Sequence, residues 1–168
     1  MATAGSRRFE ITIVSAKNLP DIRRLGRIKA YAQVSLNGEY GTMHETSTDR
    51  EGDTNPTWNF RFVYNIDESY LRRSGKDVVV KLFCERTLGD KLLGQVIIPI
   101  KSLFDKGLKS HNALSYPVDG TAYGRLYIRY CFEEKEALAP PPPKPAPSRR
   151  SEEMGGAAMF FFGGVVST

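Results

Sequence analysis

The sequence predicts an all-β fold, an eight-stranded antiparallel β-sandwich followed by a disordered C-terminal tail. Three observations carry that expectation. Runs of alternating apolar and polar residues, rich in Val, Ile, Phe, Tyr and Trp, recur at short intervals. Gly, Asn, Asp and Pro punctuate the gaps between them. No long stretch repeats with the 3.6-residue period of an amphipathic helix, and eight short strands in about 125 residues suit a sandwich.

The elements follow in order. Phe9 to Val14 puts Phe9, Ile11 and Ile13 on one face, which marks a half-buried strand. Tyr31 to Leu36 ends at Asn37-Gly38, a pair that accepts the positive φ angles of a tight hairpin turn. A more polar third strand is expected from about Tyr40 to Thr48. Trp58 to Tyr64 alternates with aromatics at Trp58, Phe60 and Phe62, which are expected in the core. Val78 to Cys84, Leu93 to Pro99, Ala113 to Val118 and Arg125 to Phe132 complete the eight. Residues 66–73 and 101–107 allow single helical turns.

This domain is bounded at residues 5–137. A Pro-rich linker follows over 138–153, with six of the ten prolines between Pro140 and Pro147. Such a run cannot enter a sheet or helix and spans roughly 25 Å as polyproline II at ~3.1 Å per residue. A Gly-rich apolar tail occupies 154–168 and contains Met159, Phe160, Phe161 and Phe162, candidates for insertion into a membrane. Its apolar stretch falls short of the ~20 residues a spanning helix needs.

Composition narrows the function. Among 168 residues there are two cysteines, too few for a disulfide scaffold or a four-ligand zinc site. Met1 to Arg8 is short, polar and basic, so no signal peptide is expected, and a cytoplasmic location with free thiols follows. The two histidines, His44 and His111, have no nucleophile at a motif spacing, so no catalytic residue is assigned and no enzyme is expected. The aromatics do not interleave with the basic residues, which argues against nucleic acid.

The formal charge of +5 is unevenly placed. Lys17, Arg23, Arg24, Arg27 and Lys29 face one acid, Asp21, within a single loop. The next loop, Asp49 to Asp53, is net negative, and a third, Glu85 to Lys91, is neutral while holding Arg86 and Lys91. These seven basic residues are the candidate anion- and lipid-binding set, since guanidinium and ammonium groups match phosphate oxygens.

The strand order also carries specific marks. The opening FEITIVSAKNLP, Tyr31 at a strand start, Thr54-Asn55-Pro56-Thr57-Trp58-Asn59, Leu92-Leu93-Gly94 and the closing GRLYIRYCF together resemble the C2 domain family, in the permutation that begins at the strand before the first variable loop. The segment DREGDTNPTWNF, one such domain and the Pro- and Gly-rich tail resemble plant cold- and stress-regulated single-C2 proteins. Of these marks, Asn55, Pro56 and Trp58 read as structural: Pro56 keeps Asn55 extended, and Trp58 turns into the core. The resemblance implies calcium ligands on the first and third loops. The matching positions hold Arg23, Lys29, Cys84, Arg86 and Asp90, one carboxylate of five, with Asp21 a second if the loop is rethreaded. Calcium requires six to eight converging oxygens, so Asp21 and Asp90 are weak metal candidates and no cofactor is expected. The resemblance further implies a role in stress or defence signalling. Two functional classes remain: a calcium-independent peripheral module on anionic phospholipid at the cytosolic face of a membrane, and a soluble adaptor that binds proteins through the sandwich or the Pro-rich run.

Overall fold

A computed structural model describes residues 5–23 and 26–134. Eight strands form two antiparallel sheets of four. The first sheet has the order β4-β1-β8-β7, with β1 at Ser6–Lys17, β4 at Thr57–Asp67, β7 at Leu114–Pro117 and β8 at Arg125–Phe132. The second has the order β3-β2-β5-β6, with β2 at Ala30–Leu36, β3 at His44–Glu45, β5 at Asp77–Cys84 and β6 at Lys91–Pro99. Two short helices, α1 (Ser69–Arg72) and α2 (Ile100–Lys106), fall in the segments expected to turn.

The period of two decides the core. Phe9, Ile11 and Ile13 of β1, Val78, Val80 and Leu82 of β5, and Leu126 and Ile128 of β8 are all buried between the sheets. Full burial of each large side chain stabilises the fold by ~1.5–3 kcal/mol. Trp58 and Phe62 join them, as expected, but Phe60 does not and is 37% exposed. The pairing of β1 with β4 slips between Ile13 and Ser15, and Asn59 takes a φ of +48. Phe60 keeps the inward parity of Trp58 and Phe62 and pairs with Ile13, but β4 is the edge strand of its sheet and leaves the ring partly uncovered, 5.1 Å from that of Phe62.

The third strand is shorter than predicted. Tyr40–Thr42 forms a 3-10 turn and leaves only His44–Glu45 paired with β2. The hydroxyl of Thr42 accepts the Leu36 N–H at 2.9 Å and donates to Glu39 at 2.7 Å, so local side-chain bonding competes with the ladder. Thr46 then replaces a strand contact by accepting the Ala32 N–H on its hydroxyl at 3.0 Å.

Gly94 lies inside β6, and its need is steric. A Cβ there would sit 2.5 Å from Val118 Cγ1 and 2.6 Å from the Asp119 carbonyl oxygen. That close approach lets Gln95 and Asp119 exchange backbone hydrogen bonds at 3.1 and 2.8 Å, which caps the free edge of β6. The β1–β2, β3–β4 and β5–β6 loops meet at one end of the sandwich, where the Leu19 N–H donates to the Thr54 carbonyl and the Glu85 N–H to that of Lys29.

Candidate functional site

The three loops are tied to one another by named contacts. Asp49 accepts the N–H groups of Glu51 and Gly52 on one oxygen and of Thr57 on the other, at 2.7–3.1 Å. Partial burial pulls its pKa upward, but the three amides outweigh that and hold it below the usual carboxylate range. Asp53 accepts the Ile28 N–H at 2.8 Å, and Glu51 pairs with Arg27 at 3.0 Å. The acidic second loop is thus a scaffold for the basic first one.

The Asn-Pro-x-Trp segment performs the structural work expected of it. Asn55 accepts the Asn18 N–H on its side-chain oxygen at 3.0 Å, and the Pro56 carbonyl accepts from Ala16 at 3.0 Å. Trp58 is buried, with its indole N–H donating to the Ala30 carbonyl at 3.0 Å.

Between the first and third loops lies a cleft of about 490 Å³, lined by Ile22, Arg23, Lys29, Glu85, Arg86 and Thr87. Three of the predicted basic residues converge there. The Lys29 carbonyl accepts the Glu85 N–H at 2.8 Å, which fixes one loop against the other. Arg86 is steadied by its Nε donating to the Gly89 carbonyl at 3.1 Å. The one carboxylate in the lining, Glu85, pairs outward with Arg50 at 2.9 Å. Three cations around one engaged carboxylate leave the cleft with an excess of positive charge.

The other predicted basic residues lie elsewhere. Lys17 sits at the end of β1, its ammonium 5.5 Å from the Tyr127 ring, away from the cleft. Arg27 is held by Glu51. Lys91 is exposed at the start of β6, opposite Cys84, and does not line the cleft. Arg24 and the tail residues Met159, Phe160, Phe161 and Phe162 are outside the described residues.

The two carboxylates proposed as metal candidates have other partners. Asp90 accepts the Tyr31 hydroxyl at 2.6 Å and the Arg86 N–H at 3.1 Å. The Tyr31 bond, with help from the Arg86 amide, holds Asp90 below the usual carboxylate range. Burial, and then the same contact with Asp90, pushes the Tyr31 phenol well up. Asp21 accepts the Arg23 N–H at 3.2 Å within its own loop. Among the described residues no three His, Cys, Asp or Glu side chains gather as metal ligands would.

One residue at this end was not singled out in the sequence. Leu88, at the tip of the third loop, is 96% exposed. A single bulky aliphatic residue between Thr87 and Gly89 was the available signal. His44, by contrast, packs against the rings of Phe62 and Tyr64 at 6.2 and 6.0 Å.

The geometry agrees with the chain's relatives. The C2 domain profile matches residues 7–114. "Protein SRC2 homolog" of Arabidopsis thaliana is 31% identical over 134 residues, which cover 77% of this chain and 41% of that protein. "Protein SRC2" of Glycine max is 32% identical over 103 residues, covering 59% and 35%. The chain thus spans less than half the length of these two relatives. Among solved structures, the C2A domain of plant Extended Synaptotagmin 1 superposes with a TM-score of 0.65 at 13% identity, covering 80% of this chain and all of that one. No helix among the described residues is long and apolar enough to cross a membrane. With the profile matched over most of the sandwich and the strand order that accompanies it, this chain belongs to the C2 domain family.

Proposed function

We propose that the chain is a non-catalytic C2 module that docks peripherally on anionic phospholipid without calcium. The observation that carries this reading is the convergence of Arg23, Lys29 and Arg86 on one cleft at the loop end. Fixed cations stand where the family resemblance places calcium ligands, so the positive charge a bound ion would supply is built into the chain. Each basic group near an anionic leaflet contributes ~1 kcal/mol, so the cleft alone supports a weak, salt-sensitive attachment. Leu88, exposed at the tip of the third loop, adds an apolar contact beside it.

The similarity to SRC2 proteins of Arabidopsis and soybean supports a plant signalling adaptor, acting in stress or defence at the cytosolic face of a membrane. The apolar end of the tail, outside the described residues, would give such an adaptor a second attachment.

The cleft is tested by sedimenting the full chain with phosphatidylcholine vesicles containing about 30% phosphatidylserine. Replacing Arg23 and Arg86 together by Gln lowers the bound fraction about tenfold or more, from ~1 kcal/mol for each residue. Unchanged binding by that variant contradicts the cleft assignment. Absence of binding by the unaltered chain favours a soluble protein-binding adaptor.

A further inference from the structure

The outer face of the first sheet is a second basic surface that no single stretch of sequence shows. Side chains at alternate positions leave the core, and the register of β4, β1 and β8 sets them side by side. Arg61 of β4 lies beside Thr12 of β1, which lies beside Arg129 of β8. One row below, Cys131 lies beside Glu10 and bridges to Lys109, which brings that lysine onto the same face. Arg8 stands two residues below Glu10, and Lys17 pairs with Arg125 at the loop end.

Six cations therefore share the face with three carboxylates, and all three have partners: Glu133, just past β8, accepts the Arg8 N–H at 3.1 Å. Glu10 lies between Arg8 at 3.1 Å and Arg61 at 3.4 Å. Asp67, at the far end of β4, accepts the Ser69 N–H at 2.9 Å. Arg129 and Lys109 are exposed and have no carboxylate partner among the described residues. They flank a cleft of about 170 Å³ that Glu10, Thr12 and Ser110 also line, with the Glu10 carboxylate paired to Arg8 and Arg61 and the Ser110 hydroxyl bonded to the Tyr130 backbone. The two cations and the Thr12 hydroxyl are left to meet a phosphate oxygen.

We infer that this face is a second contact for an anionic bilayer, so that the domain lies with its first sheet along the membrane as well as its loop end against it. The inference rests on the membrane reading above and adds the orientation. Four strands at ~4.8 Å spacing make a face roughly 15 Å wide, with charges spread over it instead of focused in one pocket. Protein interfaces concentrate their binding in buried aromatic and aliphatic anchors and deplete charge from their centres. Among the described residues the large exposed apolar side chain of this face is the half-exposed Val63, and the ring of Tyr127 is covered by Lys17. A broad layer of phosphate charge matches it better.

The test compares two variants of the full chain on the same vesicles of phosphatidylcholine with about 30% phosphatidylserine. The face variant carries Arg61→Gln, Lys109→Gln and Arg129→Gln; the cleft variant carries Arg23→Gln and Arg86→Gln. Among the substituted side chains only that of Arg61 pairs with a carboxylate, and the backbone contacts of Arg23 and Arg86 survive substitution; unfolding curves verify that both variants stay folded. We expect the face variant to partition about 10- to 100-fold less, with a shallower dependence on salt. If the face variant binds like the unaltered chain while the cleft variant fails, the inference is overturned and the membrane reading stands. If the face variant alone fails, the inference stands and the cleft assignment falls. If the unaltered chain binds no vesicle, both fall. Retention of vesicle binding by the face variant, with loss of binding to a duplex oligonucleotide, overturns the inference in favour of nucleic acid.

Discussion

Asp53 accepts the amide hydrogen of Ile28 at 2.8 Å, across 25 residues of chain, from a backbone at φ +56. Together with Asp49 and the Glu51–Arg27 pair, it makes the negative second loop the support of the positive first one. An exposed pair such as Arg27–Glu51 contributes at most about 1 kcal/mol to stability. It does, however, withdraw Arg27 from the field of the cleft, which is left to Arg23, Lys29 and Arg86. Charge along the chain and charge in space are therefore different maps of this molecule.

Replacing Asp49 by Ala leaves three backbone amides without their acceptor and lowers stability by about 2 kcal/mol, read from chemical unfolding. The effect depends on pH with a definite sign. The folded-state pKa of Asp49 lies below its unfolded value, so the carboxylate's contribution is complete above the ordinary aspartate pKa of about 3.9. It is lost as pH falls through the folded value. The gap between the unaltered chain and Asp49→Ala should then narrow on acidification. A gap independent of pH contradicts this account of the loop.

Trp58→Phe keeps the aromatic packing and removes the indole N–H from the Ala30 carbonyl. That carbonyl also accepts the Asp49 N–H at 2.9 Å, so it is not left bare. The cost is correspondingly about 1–2 kcal/mol, smaller than that of a buried acceptor with no partner. A loss of 4 kcal/mol or more, well beyond the ~1–2 expected, would show that packing and not the hydrogen bond dominates at this position.

Much of the fold was legible because two-residue periodicity is a local signal. Phe9, Ile11 and Ile13 are buried as their alternation requires. Phe60 misled because its strand lies at the sheet edge, a property of the strand order and not of the local alternation. Tyr40–Thr42 misled because the Thr42 hydroxyl offers the backbone an alternative to the ladder. The convergence of Arg23, Lys29 and Arg86 followed from aligning two loops. The departures of Arg27 and Lys17 did not, since Glu51 and Tyr127 reach them only in the folded chain. The outer face of the first sheet was invisible for the same reason: Arg61, Arg129 and Lys109 come from distant segments and meet only through register.

Leu88→Ser separates apolar from electrostatic attachment. Full burial of a leucine is worth ~1.5–3 kcal/mol, so the substitution should weaken vesicle partitioning by roughly tenfold or more. Because no charge changes, the loss should be similar at low and high salt. A loss that disappears at high salt would mean that Leu88 acts by positioning Arg86 and does not enter the bilayer.

The most direct test of the central claim is the sedimentation of the unaltered chain with phosphatidylserine vesicles in chelator and in calcium, at low and high salt. Fixed cations at the loop end predict equal binding with chelator and with calcium, and a steep fall as salt shortens the screening length from ~10 Å at 0.1 M toward ~3 Å at 1 M. Binding that appears only when calcium is added contradicts the account.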